Sequence, residues 1–183
     1  MSRKKNEFFE WMKALGVAVL LAVVIRTFFF APIVVDGVSM MPTLQDQDRM
    51  IVNKIGTKLG EIKRFDIVVF HATEEKDYIK RVIGLPGDHI EYKDDTLYIN
   101  GKKYEEPYLE KYKQNGVDGP LTEPFKLEDI IGRSTVPEGE LFVMGDNRRY
   151  SKDSRHIGTI PIESVMGKTN FVYWPLSEFG VVK

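Results

Sequence analysis

The chain contains no cysteine. That absence removes disulfides, thiolate metal sites and a cysteine nucleophile, and leaves the compartment undecided. Histidine is almost as scarce. His71, His89 and His156 stand far apart, without the close spacing by which two imidazoles on one element hold zinc. No metal site is expected. An excess of charge is missing too: 26 basic residues face 27 acidic ones, for a net charge of −1. No basic run reads as a nucleic-acid arm, so a nucleic-acid partner is not expected. Internal repeats and low-complexity tracts are also absent. What remains is 183 residues, 43% of them apolar, enough for one packed domain plus an anchor.

The long apolar run comes early. Residues 14–25 read ALGVAVLLAVVI without a polar side chain; Arg26 and Thr27 interrupt, Phe28 to Ala31 resume, and Pro32 follows. As a helix from Trp11 to Ala31, the segment spans roughly 30 Å, the thickness of a bilayer core. Arg26 lies near the helix end, where its head group can reach the interface. Trp11 and the Phe28–Phe30 cluster fall near the two boundaries. A cleaved secretory signal fits the basic start but lacks a clean small-x-small cleavage site. A buried core helix would be apolar on one face only. An uncleaved anchor fits best. Arg3, Lys4, Lys5 and Lys13 precede it, so the N-terminus is expected in the cytoplasm and residues 32–183 outside.

Beyond Pro32 the pattern changes to short strands and turns. Ile33–Val35, Met50–Asn53, Phe65–Phe70, Tyr78–Ile83, Leu141–Met144 and Asn170–Trp174 are strand candidates. Ile90–Lys93 turns at Asp94-Asp95 into Thr96–Ile99, and Asn100-Gly101 turns that strand into Lys102–Tyr104; Asn-Gly is the strongest short hairpin signal. Residues 105–135 lack firm periodicity and read as a long surface excursion. The frequent glycine and proline punctuation predicts a mainly β fold, a folded sheet or barrel-like domain behind one transmembrane helix, rather than βαβ units.

Three stretches carry candidate chemistry. The first, Asp36 to Leu44, holds Ser39 about nine residues beyond Phe30, hence within roughly 30 Å of the membrane surface. Alone, Ser39 also reads as an ordinary loop serine. The second is Tyr78 to Asp88. On a strand, Lys80 lies on one face and Arg81 on the other, each between apolar neighbours, so alternation does not say which is buried. Both could be cations snorkelling from a half-exposed strand. A lysine base would instead be desolvated: its pKa must fall about three units from about 10.4, at a cost of roughly 4 kcal/mol. Arginine could not serve, because it does not deprotonate. The third stretch, Gly145 to Arg155, packs two serines, two aspartates and several cations directly behind an apolar strand. Its serines can orient an amine, and an Asp–Arg pair can brace a loop.

Together these stretches resemble the signature boxes of the bacterial type I signal peptidases, Gram-positive branch, which use a Ser-Lys dyad. Ser39-Met40 with Pro42-Thr43-Leu44 resembles one box, Lys80-Arg81 running into Gly84-Leu85-Pro86-Gly87-Asp88 a second, Gly145–Arg155 the full GDNRxxSxDSR box, and Arg64–Phe70 the remaining one. They follow in the family's order from about residue 20 to 174. The resemblance implies a serine endopeptidase that removes N-terminal signal peptides from exported preproteins. It implies Ser39 as nucleophile, Lys80 as general base, Ser151 as the hydroxyl that orients the lysine, Asp153 and Arg155 as an ion pair, and Asp146 as a supporting acid. Gly37 stands where some members carry a serine whose hydroxyl helps the oxyanion hole; here a second donor must be a backbone N–H or be missing, with the Ser39 N–H as the first. No cofactor is required. The implied organisation is a cytoplasmic N-terminus over 1–10, a transmembrane anchor over 11–31 in contact with lipid, and an extracytoplasmic catalytic domain over 32–183.

Other readings make different demands. A Ser-His-Asp hydrolase would recruit His156. A self-cleaving repressor relative would need a DNA-reading helical domain where this chain has an anchor. A membrane-tethered β adaptor would leave Ser39 and Lys80 as unrelated surface residues.

Overall fold

A computed structural model describes residues 3–54, 62–110, 112 and 119–182. Helix α1 spans Arg3–Phe28. Its described side chains are exposed throughout, and Glu7–Arg26 forms a twenty-residue stretch of mean hydropathy 2.0, long and apolar enough to cross a membrane. The helix ends three residues earlier than apolar continuity suggests. Phe30–Val34 is instead strand β1, paired antiparallel with β2, Arg49–Asn53. The physical reason is pairing: Phe30 faces Asn53 and Ala31 faces Val52, so these backbone groups find partners in a sheet rather than in a last helical turn. Pro32 sits within β1, which is an edge strand, where its missing N–H costs nothing.

Ten further strands follow: β3 Ile67–His71, β4 Asp77–Gly84, β5 Ile90–Lys93, β6 Thr96–Ile99, β7 Lys102–Tyr104, β8 Phe125–Lys126, β9 Glu140–Met144, β10 Ile160–Pro161, β11 Val165–Trp174 and β12 Gly180–Val181. Two antiparallel sheets result. The larger runs β1-β2-β11-β3-β4-β9-β10, with β12 added on β11; the smaller runs β7-β6-β5-β8. Register shifts interrupt β11 against both β2 and β3, and β4 against β9. Such bulges bend and twist a strand, and they curl the larger sheet. Its neighbours are not sequential: the β1–β2 hairpin reaches β3 and β4 only through β11.

The mainly β expectation therefore describes the fold, and the hairpins match it residue for residue. Asp94 and Asp95 both have positive φ, as do Asn100 and Gly101, the geometry a two-residue hairpin turn demands. The 105–135 segment corrects the sequence reading. Residues 111 and 113–118 lie outside the described residues. The rest holds a 3-10 turn at Pro107–Leu109, strand β8 and a short helix α2, Leu127–Ile131. Leu109, Leu121 and Leu127 are buried, and so is Glu106. Isolated leucines among polar residues give no periodic signal, yet here they pack into the domain.

Candidate active site

Ser39 sits in the loop joining β1 to β2. Backbone bonds close that loop at its base, Val35 N–H to Asp48 O and Gln47 N–H to Val35 O, both 2.8 Å. Met40 and Leu44 plug it into the core at 1% and 0% exposure. Gly37 takes a φ of +97°, which favours glycine, and its N–H donates to Asp46 Oδ1 at 2.8 Å. Gly37 thus spends its backbone donor within the loop. The Ser39 N–H donates to none of the described residues.

Lys80 arrives from β4. Its Nζ donates to Ser39 Oγ at 2.8 Å and to Ile79 O at 2.9 Å. The Tyr78 ring lies 5.1 Å from the same nitrogen. Strand β4 lies inside the sheet, between β3 and β9, so neither of its cations snorkels: Lys80 is 3% exposed and Arg81 2%. Burial lowers the Lys80 pKa to about 8, against the opposing pull of the Asp153 and Asp146 carboxylates. Arg81 cannot shed its proton and is paired instead. It grips Asp146 bidentately at 2.9 and 2.6 Å, donates to Phe65 O at 3.0 Å, and lies 3.8 Å from the Tyr108 ring centroid.

The loop from Gly145 to Arg155 closes over this pair. Asp153 caps the short helix α3, Ser154–Ile157. It accepts from Gly145 N at 2.9 Å and from Arg155 Nε and Nη2, each at 2.8 Å. Burial works against its charge, but the Arg155 guanidinium and the Gly145 N–H hold its pKa below the ordinary carboxylate value. Asp146 serves Arg81 rather than the dyad. Ser151 is buried; its hydroxyl helps hold the Asp153 carboxylate low, no bond joins it to Lys80 among the described residues, and a Cβ on Gly145 would lie 2.2 Å from its Oγ. Sequence reading missed Arg148, fully buried against Glu106, Tyr92 and Thr122. Its only sequence signal was its place in the dense polar run. His156 is exposed and lines a different hollow, with Pro120 and Phe125.

A groove of about 440 Å³ opens at the dyad. One wall is Ile33–Val35, the other Tyr78 and Ile79, with Ser39 and Lys80 between and Lys152 on the rim. Strand β9 covers only Arg81 to Gly84 of β4. The first half of β4 therefore shows the groove an unpaired edge. A hydroxyl bonded to a buried amine of lowered pKa, beside a strand-shaped groove, is equipped for nucleophilic attack on an extended peptide.

Comparison with known proteins points to peptidases. A family model described as "Signal peptidase, peptidase S26" matches residues 8–174. A signal peptidase I of Bacillus caldolyticus is 54% identical over 176 residues, 96% of this chain and 94% of the relative. A signal peptidase IB of Staphylococcus aureus is 44% identical over 182 residues, again 96% and 94% of the two chains. A crystal structure of a signal peptidase I from Enterococcus faecalis V583 is 45% identical, with a TM-score of 0.56, covering 59% of this chain and 96% of its own.

Proposed function

The chain belongs to the signal peptidase family, peptidase S26, and on that premise we propose that Ser39 is its nucleophile and Lys80 the base that activates it. The chain is a serine peptidase that removes signal peptides from preproteins. The observation that carries the residue assignment is the 2.8 Å contact between Ser39 Oγ and a lysine amine that is 3% exposed, with a pKa of about 8. A tethered adaptor would give these two residues no reason to meet.

Neutral Lys80 takes the Ser39 proton as Oγ attacks the scissile carbonyl. The Lys80 ammonium then protonates the departing amine, leaving an acyl-enzyme on Ser39. Lys80, neutral again, activates the water that hydrolyses it. The peptide before the cut lies extended between Ile33–Val35 and the open half of β4, in contact with apolar walls that suit small side chains. Asp153, Arg155 and Asp146 hold the loop and strand around the dyad, and Ser151 lies in reach of the site by its place on that loop. The Gly37 N–H is occupied by Asp46, so the Ser39 N–H is the main-chain donor we assign to the oxyanion.

Helix α1 is the anchor. The basic residues before it favour a cytoplasmic N-terminus, which sets residues 32–183 outside. A signal peptide is itself an apolar helix ending near the membrane surface. Confining enzyme and substrate to one interface raises their effective concentration.

The test is cleavage of a purified preprotein in detergent, with a chelator present, by wild type, Ser39→Ala and Lys80→Ala. Single-site cleavage by wild type and no cleavage by either folded variant is expected. Cleavage by Lys80→Ala would move the base to another residue. Cleavage by Ser39→Ala at the wild-type rate would remove the nucleophile assignment.

A further inference from the structure

Asn147 is 7% exposed and has no part in the dyad. Its contacts converge on the backbone of the nucleophile. Asn147 Nδ2 donates to Val38 O at 3.0 Å, an oxygen that also accepts from the Met41 N–H at 3.1 Å. Its own main-chain N–H donates to Ser39 O, also at 3.0 Å. One residue therefore holds both carbonyls that flank Ser39.

Peptide geometry gives this consequence. In a planar trans peptide the C=O and N–H point to opposite sides. Val38 O and the Ser39 N–H belong to one such plane. The Met41 N–H holds that carbonyl from within the loop, and the Asn147 amide ties it to the loop from Gly145 to Arg155; the two together fix the direction in which the Ser39 N–H points. Ser39 O and the Met40 N–H share the next plane and are fixed in the same way. Neither the Ser39 nor the Met40 N–H donates to any described residue, so both remain free on the side away from Asn147. An oxyanion donor acts only if it is already aimed where charge develops. The preceding residue adds a second constraint: Asp146 holds Arg81, the neighbour of Lys80. The dipeptide Asp146-Asn147 thus ties the lysine strand and the serine loop together.

We propose that Asn147 is a positioning residue, whose side-chain amide orients the Val38–Ser39 peptide so that the Ser39 N–H receives the oxyanion. The proposal rests on Ser39 being the nucleophile.

The experiment compares wild type, Ser39→Ala and Asn147→Ala on two peptides, one with an ordinary scissile carbonyl and one with that oxygen replaced by sulfur, a weak hydrogen-bond acceptor. Melting temperature is recorded alongside. For Asn147→Ala, kcat on the oxygen peptide is expected to fall about tenfold to a hundredfold, since loss of a whole oxyanion donor costs about a hundredfold or more. KM should stay within about twofold, and the acid limb of the pH profile should not move. The sulfur peptide, which has already forfeited the bond, should lose less, so discrimination between the two peptides narrows. An unchanged kcat, or equal losses on both peptides, overturns the proposal, because general loosening slows both alike. If Asn147→Ala does not fold, Asn147→Asp, read above the acid limb, keeps the shape, replaces the donor with an acceptor, and carries the same expectation. An active Ser39→Ala would instead strike the nucleophile assignment. An inert Ser39→Ala beside an unaffected Asn147→Ala strikes this inference alone.

Discussion

The role proposed for Lys80 sets two demands in conflict: a base must lose its proton, which burial favours, and burial is costly while the proton stays on. With a pKa of about 8, kcat/KM is expected to rise through an acid limb centred near pH 8. The neighbouring Asp153 carboxylate pulls that pKa upward, so Asp153→Asn should shift the limb to lower pH in the same rate profile. Stability follows with a definite sign. Below pH 8 the lysine is charged in both folded and unfolded chains, and the burial cost stands in full. Between the folded pKa of about 8 and the unfolded value of 10.5, the unfolded chain binds the extra proton, so stability rises with pH. The shift is worth about 3 kcal/mol. Lys80→Met should therefore be inert yet melt higher at pH 7, with the gap closing as pH approaches 10.5 in a series of thermal melts. Which of the two adjacent cations could be the base was legible in the sequence, because only a lysine can give up its proton. Burial was not, because alternation treats the two faces of β4 alike. Both are covered, and burial is met differently at the two: Lys80 bears it as a lowered pKa, Arg81 is offset by a bidentate carboxylate.

The loop from Gly145 to Arg155 works as one element. Its buried Arg81–Asp146 pair predicts an asymmetry. Asp146→Leu strands a buried guanidinium and should cost about 3–5 kcal/mol, whereas Arg81→Met combined with Asp146→Leu should recover most of that; denaturant melts of single and double variants measure the difference. Gly145 permits the close approach of the loop to the nucleophile. A Cβ there would lie 2.5 Å from Ser39 O and 2.2 Å from Ser151 Oγ. Gly145→Ala should push the loop off the serine and abolish cleavage while leaving the far sheet folded, as amide exchange in β5 to β7 would report. At this scale most of the longer strands and both tight hairpins could be read from period and turn chemistry, since those signals are local; the first half of β11 and the two-residue strands β8, β10 and β12 could not. The 105–135 segment could not. Glu106 is buried because Arg148 needs it, and that partner stands 42 residues away.

At the scale of the whole molecule, an exposed apolar helix precedes a curled sheet. A chain without native cysteine allows a clean topology test. Single cysteines placed at Ser2 and at Leu176 should differ in intact cells: an impermeant maleimide should label the second and spare the first, and the reverse result would invert the assigned orientation. A helix long and apolar enough to cross a membrane was legible from length and composition; its end was not, because pairing with β2 claims Phe30 and Ala31 for the sheet. Sheet order has a further consequence, one of timing. The serine hairpin and the lysine strand are not neighbours in the sheet; β11, residues 165–174, and β3 lie between them. Asn147, 109 residues beyond Val38, must also arrive before the serine loop is gripped. A chain emerging from its N-terminus has Ser39 and Lys80 early but lacks the strand and the loop that hold them in place in the folded chain. With Ser39 and Lys80 as proposed, the protease is expected to be inert while it is being made and able to cut only once its closing strand is laid in.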